Sequence, residues 1–204
     1  MKFIKLFIVL LAWVTLPVLG QSRQQYTLAP TIQPVTEEKV EVIKFFWYGC
    51  GICNSINVSS TRWAQGRNDI VYKPFHVPLR PDWVSMTRAF YTLVQMNLLN
   101  ELNDKIFDAM HKENIILDDE NILFAWLATQ NVDVARFKSI YNSFGTQTRV
   151  NQAGELAATY RLTGVPAFVV DGKYITSPRL AGNDLLQVLD QLVERAKTER
   201  QQRR

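Results

Sequence analysis

The amino-acid sequence predicts an α/β fold in which a helical region interrupts a small domain built on a β-sheet. Three observations support this fold class. Residues 39–79 have a strand–helix–strand pattern, residues 83–160 repeat apolar side chains at three- and four-residue steps, and residues 165–193 predict two strands and a helix. The chain has 204 residues, of which 47% are hydrophobic and 21% charged. This length and balance suit one substantial core or two small ones.

The first twenty residues, MKFIKLFIVLLAWVTLPVLG, have the pattern of a secretory signal peptide. Lys2 and Lys5 precede an apolar run over 6–13, and a proline and small residues follow. We expect cleavage after Gly20 and a soluble, exported mature protein. An uncleaved membrane anchor is the alternative, although the run is short against the roughly 20 residues of a full span.

The charge of the mature chain is close to balanced. Of 23 basic and 19 acidic residues, two lysines belong to the predicted signal peptide, which leaves a net charge of about +2. The basic tail over 197–204 is expected to be a solvated helix end. Since no basic stripe is interleaved with aromatic residues, the sequence predicts no nucleic-acid partner.

The first part of the sheet domain follows an arm. Residues 21–38 hold two prolines and no clear period, and they predict an extended segment. Residues 39–48 are rich in β-branched and aromatic side chains and predict a buried strand. Gly49 ends it, a helix is predicted over 50–65, and a second strand over 69–79. This βαβ unit carries both cysteines of the chain at its first turn.

The helical region shows capping signals. Asp118 or Asp119, and then Asp133, are placed to cap two of its helices. Gly145 is expected to separate the second of these from a last helix that runs through Tyr160. Its large aromatic residues are expected in the core of the insertion rather than at a ligand site: Trp83, Phe90, Tyr91 and Trp126.

The C-terminal part returns to strand signals. Two apolar runs flank Asp171 and Gly172, a strong hairpin signal, and Asn183 or Asp184 is placed to cap a final amphipathic helix. The chain is thus divided into a signal peptide (1–20), an N-terminal arm (21–38), the first part of the sheet domain (39–82), a helical insertion (83–160) and the second part of the sheet domain (161–204).

Both cysteines lie in the stretch FFWYGCGICNSIN, as Cys50-Gly51-Ile52-Cys53. A disulfide between them closes a very short loop and therefore stabilises the fold little. If Cys50 begins the helix, unpaired N–H groups and the helix dipole lower the pKa of its thiol. Cys53, one turn further in, would be more buried and able to close the ring or resolve a mixed disulfide. The pattern favours thiol–disulfide exchange.

Other uses of a C-x-x-C motif stay open. Tetrahedral zinc requires four ligands, and the two histidines, His76 and His111, are not at ligand spacing to the cysteines. A c-type haem site would have histidine where Asn54 stands. Copper or other metal handling and an inert disulfide are the alternatives to redox chemistry. His76 lies on a predicted strand and is expected to be structural.

The stretch TGVPAF, residues 163–168, places Pro166 at the beginning of a predicted strand. Proline lacks the N–H that a sheet needs, so it is confined to an edge, a first position or a bulge. Two interpretations stand at this point. Pro166 either starts the strand or forms a cis peptide bond beside the cysteines.

The leader, VIKFFWYGCGIC, the helical insertion and TGVPAFVVDGKY together resemble the DsbA family of periplasmic thiol:disulfide oxidoreductases, over almost the whole mature chain. The resemblance implies a thioredoxin-like fold with an inserted α-helical subdomain. It implies that Cys50 is the nucleophile, that Cys53 is its buried partner, and that Val165 and Pro166 form a cis-proline loop. In that loop the backbone of Val165 is offered to an extended substrate. The redox group would be the Cys50–Cys53 disulfide, with no other cofactor and no metal.

Two departures from the family bear on the redox potential. Family members typically carry Pro-His where this chain has Gly51 and Ile52. A histidine there adds positive charge and hydrogen bonding to the thiolate, so we expect a weaker oxidant. Lys44 stands where the family often has a buried glutamate that is thought to relay protons to the second cysteine.

The direction of Lys44 decides its effect. Pointing inward, its charge would stabilise a thiolate by roughly 2.8 kcal/mol at ~6 Å and an effective dielectric constant of ~20. That is enough to offset the missing histidine. A lysine that extends to the surface would have no such effect. The sequence leaves both directions open.

The resemblance implies a periplasmic enzyme that introduces disulfide bonds into unfolded or newly exported proteins. A quinone-coupled membrane protein of the DsbB type would reoxidise it. An isomerase or reductase on the same fold is one alternative. A non-enzymatic module, either a holdase or a copper chaperone that uses both thiols, is the other.

Overall fold

The computed structural model describes residues 24–30 and 38–202. The predicted signal peptide and its cleavage site lie outside these residues, as does much of the predicted arm. Within the described part of the chain, no helix is long and apolar enough to cross a membrane.

The described elements contain the predicted order of strand, helix, strand, then helices, then strand, strand, helix. They are β1 (Thr27–Leu28), β2 (Val40–Phe46), α1 (Gly51–Gln65), β3 (Ile70–His76), α2 (Val84–Met96), α3 (Leu99–His111), α4 (Glu120–Thr129), α5 (Val134–Tyr141), α6 (Phe144–Thr159), β4 (Ala167–Val170), β5 (Tyr174–Thr176), α7 (Pro178–Ala181) and α8 (Leu185–Gln202). Two of them were not predicted, the short strand β1 in the arm and the short helix α7 before the last helix.

The strands of the described residues form one five-stranded sheet in the order β1-β5-β4-β2-β3. β2 and β3 are parallel, with Val40 opposite Ile70 and Phe46 opposite His76, because α1 returns the chain to the same end of the sheet. β4 pairs antiparallel with the other side of β2. All residues of β2 are buried, so the cysteine segment leaves from the end of an interior strand.

β4 and β5 form the hairpin predicted from Asp171 and Gly172. These two residues have φ values of 55° and 64°, and the N–H of Lys173 donates to the carbonyl of Val170 at 3.0 Å. Two consecutive positive φ values are what a type I′ turn requires. The Asp171 carboxylate also pairs with Arg200 of α8, which fixes the hairpin to the last helix.

Helices α2 to α6 lie between β3 and β4 in the chain. Asp119 and Asp133 accept hydrogen bonds from N–H groups in the first turns of α4 and α5, at 2.8 and 2.9 Å, so the predicted caps are confirmed. The predicted separating role of Gly145 is wrong. Ser143 caps α6 by accepting from the N–H of Thr146 at 3.1 Å, and Gly145 lies inside the first turn.

The buried apolar side chains fall into two clusters on opposite faces of the sheet. Ile43 and Phe45 of β2 belong to a cluster shared with the inserted helices, whereas Val40 and Val42 belong to a cluster shared with α8. Side chains alternate along a strand, so Lys44 points to the same face as Val42. That face is covered by α1 and α8, which places Lys44 behind the cysteine helix.

Candidate active site

Cys50 is the N-cap of α1. A turn follows β2, in which the N–H of Cys50 donates to the carbonyl of Trp47 at 3.1 Å. Cys50 is extended, with φ −82° and ψ 113°, and its Sγ accepts a hydrogen bond from the N–H of Cys53 at 3.1 Å. The thiol thus occupies the place usually held by Ser, Asp or Asn. The prediction that Cys50 begins the helix is confirmed.

Trp47 covers the turn before the cysteine. Its ring stacks on that of Trp83 with centroids 4.5 Å apart and planes 5° apart. A Cβ at Gly49 would lie 2.4 Å from the Trp47 ring, so the turn requires glycine there. Phe90, Tyr91 and Trp126 lie in the core cluster as expected. Trp83 does not, because its half-buried ring packs on Trp47 instead.

The pKa of the Cys50 thiol is lowered from 9.0 to about 7. The hydrogen bond from the Cys53 thiol is the largest cause. The N–H groups of Cys53 and Ile52 and the charge of Lys44 act in the same direction, against the partial burial of the thiol. Because the helix N-terminus supplies donors directly, a thiolate is favoured here without a histidine between the cysteines.

The Cys53 thiol has the opposite environment. It is fully buried, and this burial raises the pKa of the thiol, as does the hydrogen bond with Cys50. Both cysteines are free thiols in this structure. The pair is therefore asymmetric: near neutral pH the half-exposed sulfur of Cys50 is partly thiolate, while Cys53 keeps its proton.

The loop before β4 meets the cysteines. β4 runs beside β2, with Ala167 opposite Phe45, and this pairing brings the preceding residues to the end of β2. The Val165–Pro166 peptide bond is cis, which answers the question that the sequence left open. The Sγ of Cys50 donates to the carbonyl of Val165 at 3.7 Å.

Lys44 points inward. It is 2% exposed, and its Nζ donates to Oδ1 of Asn57 at 3.1 Å and to Oγ of Ser60 at 3.2 Å, both on α1. The ammonium also lies 5.6 Å from the centroid of the Phe46 ring. Of the two directions that the sequence allowed, the structure has the inward one.

The charge state of Lys44 reflects two opposed effects. Burial lowers the pKa of its ammonium from 10.5 to about 8, while Cys53, Asp104 and Cys50 favour the charged form. The lysine is therefore mainly charged at neutral pH, and its charge in turn lowers the pKa of both thiols.

The residues between the cysteines are open to solvent. Ile52 is 57% exposed, and nothing lies within 4 Å of a Cβ built on Gly51. An exposed apolar side chain thus stands beside the reactive sulfur. Its neighbourhood includes a cavity of about 860 Å³, lined by Ile52, β1, the segment from the end of α6 through the Val165–Pro166 loop, and residues from β5 and α7.

Two histidines fix the backbone of Tyr48, next to the cysteine turn. Nε2 of His76 accepts from the Tyr48 N–H at 3.2 Å, and its Nδ1 lies 2.9 Å from the hydroxyl of Thr87. Burial lowers the pKa of His76 to about 3, so this histidine is neutral and structural, as predicted. Nε2 of His111 donates to the Tyr48 carbonyl at 2.7 Å, a contact that no motif in the sequence indicated.

Sequence reasoning also missed Asn57, Ser60 and Asp104. Asn57 and Ser60 lie one and two turns beyond Cys53, but polar residues at these positions of a helix give no signal of a buried lysine. Asp104 lies on α3, within the insertion, and its carboxylate accepts from Nδ2 of Asn57 at 2.7 Å. In the described part of the chain no group of three or more Cys, His, Asp or Glu is arranged to hold a metal ion.

Comparison with known proteins identifies relatives of this arrangement. The model of the DSBA-like thioredoxin domain matches residues 42–194. The thiol:disulfide interchange protein DsbA of Bordetella parapertussis is 37% identical over 179 residues, which cover 85% of each chain. DsbA of Burkholderia cepacia is 36% identical over 183 residues, 87% of this chain and 86% of that one.

The fold has solved counterparts. The crystal structure of Pseudomonas aeruginosa DsbA superposes with a TM-score of 0.81 at 29% identity, covering 86% of this chain and 94% of that chain. The chain belongs to the DSBA-like thioredoxin domain family and is a thiol:disulfide oxidoreductase of thioredoxin-like fold with a helical insertion.

Proposed function

We propose that this enzyme oxidises pairs of thiols in newly exported proteins, and that Cys50 is the sulfur that substrates attack. The asymmetry of the cysteine pair carries the proposal. Cys50 is half-exposed with a lowered pKa, whereas Cys53 is fully buried with a raised one. Stabilising the Cys50 thiolate favours the reduced enzyme, and this makes the disulfide an oxidant.

The oxidation takes two exchanges. A substrate thiolate attacks Sγ of Cys50, the Cys50–Cys53 bond breaks, and Cys53 leaves with the electron pair and takes up a proton. A second substrate thiolate then attacks the substrate sulfur of the mixed disulfide, and Cys50 leaves as a thiolate. The substrate loses two electrons and gains a disulfide bond, and the enzyme is left reduced.

Substrate would bind along the Val165–Pro166 loop. Val165 is half-buried, and its carbonyl lies beside the reactive sulfur, so its backbone can pair with an extended chain on either side of a substrate cysteine. Exposed Ile52 and the adjoining cavity offer apolar surface to a neighbouring side chain. Unfolded proteins present both features, which suits broad specificity.

Redox tuning falls to Lys44 in this proposal. The family's histidine is replaced by Ile52, which adds no charge, and the Lys44 ammonium favours the thiolate forms of both cysteines from inside the fold. Gly51 contributes an open approach to Cys50 rather than a charge.

The proposal also includes the cellular location and the partner that reoxidises the enzyme. The predicted signal peptide and the bacterial relatives favour the periplasm, where disulfides persist. The Cys50–Cys53 disulfide would be the only redox group needed. Each turnover leaves a dithiol, so a DsbB-type quinone-coupled membrane protein would be needed to remove two electrons.

The proposal is tested by trapping. In a Cys53→Ser variant of the mature protein, Cys50 is first converted to its mixed disulfide with thionitrobenzoate. A reduced, unfolded protein with a single cysteine should then displace thionitrobenzoate and stay linked to Cys50, because neither partner has a second thiol to resolve the complex. The matched Cys50→Ser variant should form none, because its remaining thiol is buried. Complexes on Cys53 instead, or wild-type protein unable to oxidise the reduced substrate, would contradict the proposal.

A reductase or isomerase is the second candidate, and Ile52 is the observation that favours it. Without a histidine at this position the disulfide is less oxidising than it would otherwise be. Turnover of insulin disulfides in the presence of a dithiol reductant, faster than oxidation of reduced substrates, would support this candidate over the oxidase.

A further inference from the structure

A polar network joins the cysteine site to the helical insertion. From Lys44 it passes through Asn57, whose Oδ1 accepts from the ammonium and whose Nδ2 donates to the carboxylate of Asp104 on α3. Asn57 is 5% exposed, whereas Asp104 is exposed. The network thus leads from a buried cation to a carboxylate at the surface of the insertion.

The same helix also holds the strand end before the cysteines. Nδ2 of Asn103 donates to the Asp104 carboxylate at 2.9 Å, and Oδ1 of Asn103 accepts from the hydroxyl of Tyr48 at 3.2 Å. Asp104 therefore receives hydrogen bonds from two amides, one that reaches Lys44 and one that reaches the turn. Oδ1 of Asp104 accepts both hydrogen bonds, and together they orient the carboxylate towards the site.

We propose that Asp104 and Asn57 are positioning residues that keep the Lys44 ammonium charged and aimed at the cysteine pair, so that helix α3 of the insertion sets the oxidising strength of the site. This inference rests on the tuning role proposed for Lys44. It assigns to the insertion a part in the chemistry of the sheet domain, through three side chains from β2, α1 and α3.

The charges around Lys44 show why Asp104 is needed. The groups that favour its charged form are Cys53, Asp104 and Cys50. Ser60 and Asn57, the acceptors of its hydrogen bonds, are neutral, and Tyr72 of β3 donates to the Ser60 hydroxyl at 3.4 Å. In the oxidised enzyme neither sulfur can be an anion. Asp104 is then the charged partner, among these groups, that opposes the burial of the ammonium.

Asn57 conveys this charge through its amide. The carboxylate accepts from one end of the amide group, and the polarised carbonyl at the other end accepts from the ammonium. The same bonds determine where Nζ lies, since Ser60 alone would leave the lysine side chain one fixed acceptor. Loss of Asp104 should therefore both neutralise part of Lys44 and loosen its position.

The test is the Asp104→Asn variant of the full mature protein, measured for the pKa of Cys50 by thiolate absorbance and for its equilibrium with glutathione. We expect the Cys50 pKa to rise and the equilibrium constant for reduction to fall about threefold at pH 7, the size expected of a carboxylate that acts from the surface. A threefold change corresponds to about 14 mV. Glu101→Gln, on the same helix and paired with Lys105, is the matched control and should change neither quantity.

A double-mutant comparison separates positioning from a general effect of charge or stability. In a Lys44→Met background, Asp104→Asn should leave the Cys50 pKa unchanged. Lys44→Gln serves for the same comparison if the methionine variant does not fold. If Asp104→Asn shifts the Cys50 pKa equally with and without Lys44, the inference is overturned. A fall in the Cys50 pKa would also overturn it, because it would mean that the carboxylate acts directly on the thiolate.

The outcome is independent of the proposed direction of catalysis. A low reduction potential would contradict the oxidase proposal. The effect of Asp104→Asn on the Cys50 pKa, with and without Lys44, could still be measured. Conversely, a strongly oxidising enzyme in which Asp104→Asn has no effect would retain the oxidase and remove the role of α3.

Discussion

Lys44 and His76 are two buried basic residues on neighbouring strands, and they differ in charge at neutral pH. His76 ends β3, has uncharged partners in Tyr48 and Thr87, and its pKa falls to about 3. Burial also lowers the pKa of Lys44, from 10.5 to about 8, but Cys53, Asp104 and Cys50 oppose this effect. Burial thus disfavours the charge on both residues. Lys44 stays charged at neutral pH because its ordinary pKa is four units higher than that of His76 and because anionic groups, one of them on α3, act on it.

His76 and Lys44 support the same site in different ways, one through structure and the other through charge. His76 holds the backbone that leads to the cysteines and carries no charge to influence them. Lys44 changes the ionisation of both sulfurs. Substitution of the first should therefore appear in stability, and substitution of the second in redox properties.

The largest expected effect is on stability, in His76→Leu. This change leaves the buried N–H of Tyr48 without its acceptor, and we expect the free energy of unfolding to fall by about 2 kcal/mol. Urea denaturation measures it. The Cys50 pKa should stay near 7 in the folded variant. A large rise in that pKa, with stability intact, would erase the distinction between the two residues.

Acid titration of the wild type tests the same histidine. The pKa of His76 in the folded protein, about 3, lies below its ordinary value of 6.5. Between these pH values the imidazole is protonated in the unfolded chain but not in the folded one. The stability contributed by neutral His76 is complete above about pH 6.5 and declines as the pH falls towards 3. Denaturation curves from pH 7 to 4 should be flatter for His76→Leu than for wild type. Parallel curves would show that His76 titrates normally in the fold.

Lys44→Met should give the larger of the two redox effects. Removing the ammonium is expected to raise the Cys50 pKa by about one unit, or about 1.4 kcal/mol. The reduction potential should fall by about 30 mV if that unit passes fully into the redox equilibrium. Thiolate absorbance between pH 5 and 10 gives the pKa. An unchanged value would mean that the hydrogen bond from the Cys53 thiol and the backbone donors at the N-terminus of α1 account for the whole shift.

Ile52→His should give a smaller effect in the opposite direction. The site is 57% exposed, so solvent screens the added charge, and we expect the Cys50 pKa to fall by about half a unit at low ionic strength. Ile52→Gln is the uncharged control. If both variants shift the pKa equally, the cause is loss of the apolar side chain rather than charge.

The sequence predicts those parts of the fold that depend on neighbouring residues. The βαβ unit, the caps at Asp119 and Asp133 and the Asp171-Gly172 hairpin follow from local chemistry, and all are present. The position of Cys50 at the helix N-terminus belongs to this group. The predicted break at Gly145 was wrong, and the reason is also local: Ser143, two residues earlier, caps α6.

The direction of Lys44 and the place of Trp83 could not be predicted in this way. Lys44 is turned inward by partners 13 and 16 residues away along the chain, and its indirect partner Asp104 lies in the insertion. Trp83 is held by Trp47 across the same boundary. Such contacts depend on how the insertion packs against the sheet domain. The spacing of apolar residues within either region does not predict this packing.

The most direct test of the account is the reduction potential of the Cys50–Cys53 pair, obtained by equilibrating the mature protein with glutathione. We predict a value more oxidising than about −180 mV, since the thiolate of Cys50 is stabilised by the helix N-terminus and by Lys44. A value near the −270 mV typical of thioredoxin would contradict the account. It would show that these contacts do not favour the reduced enzyme, and that the fold is used here for reduction or isomerisation.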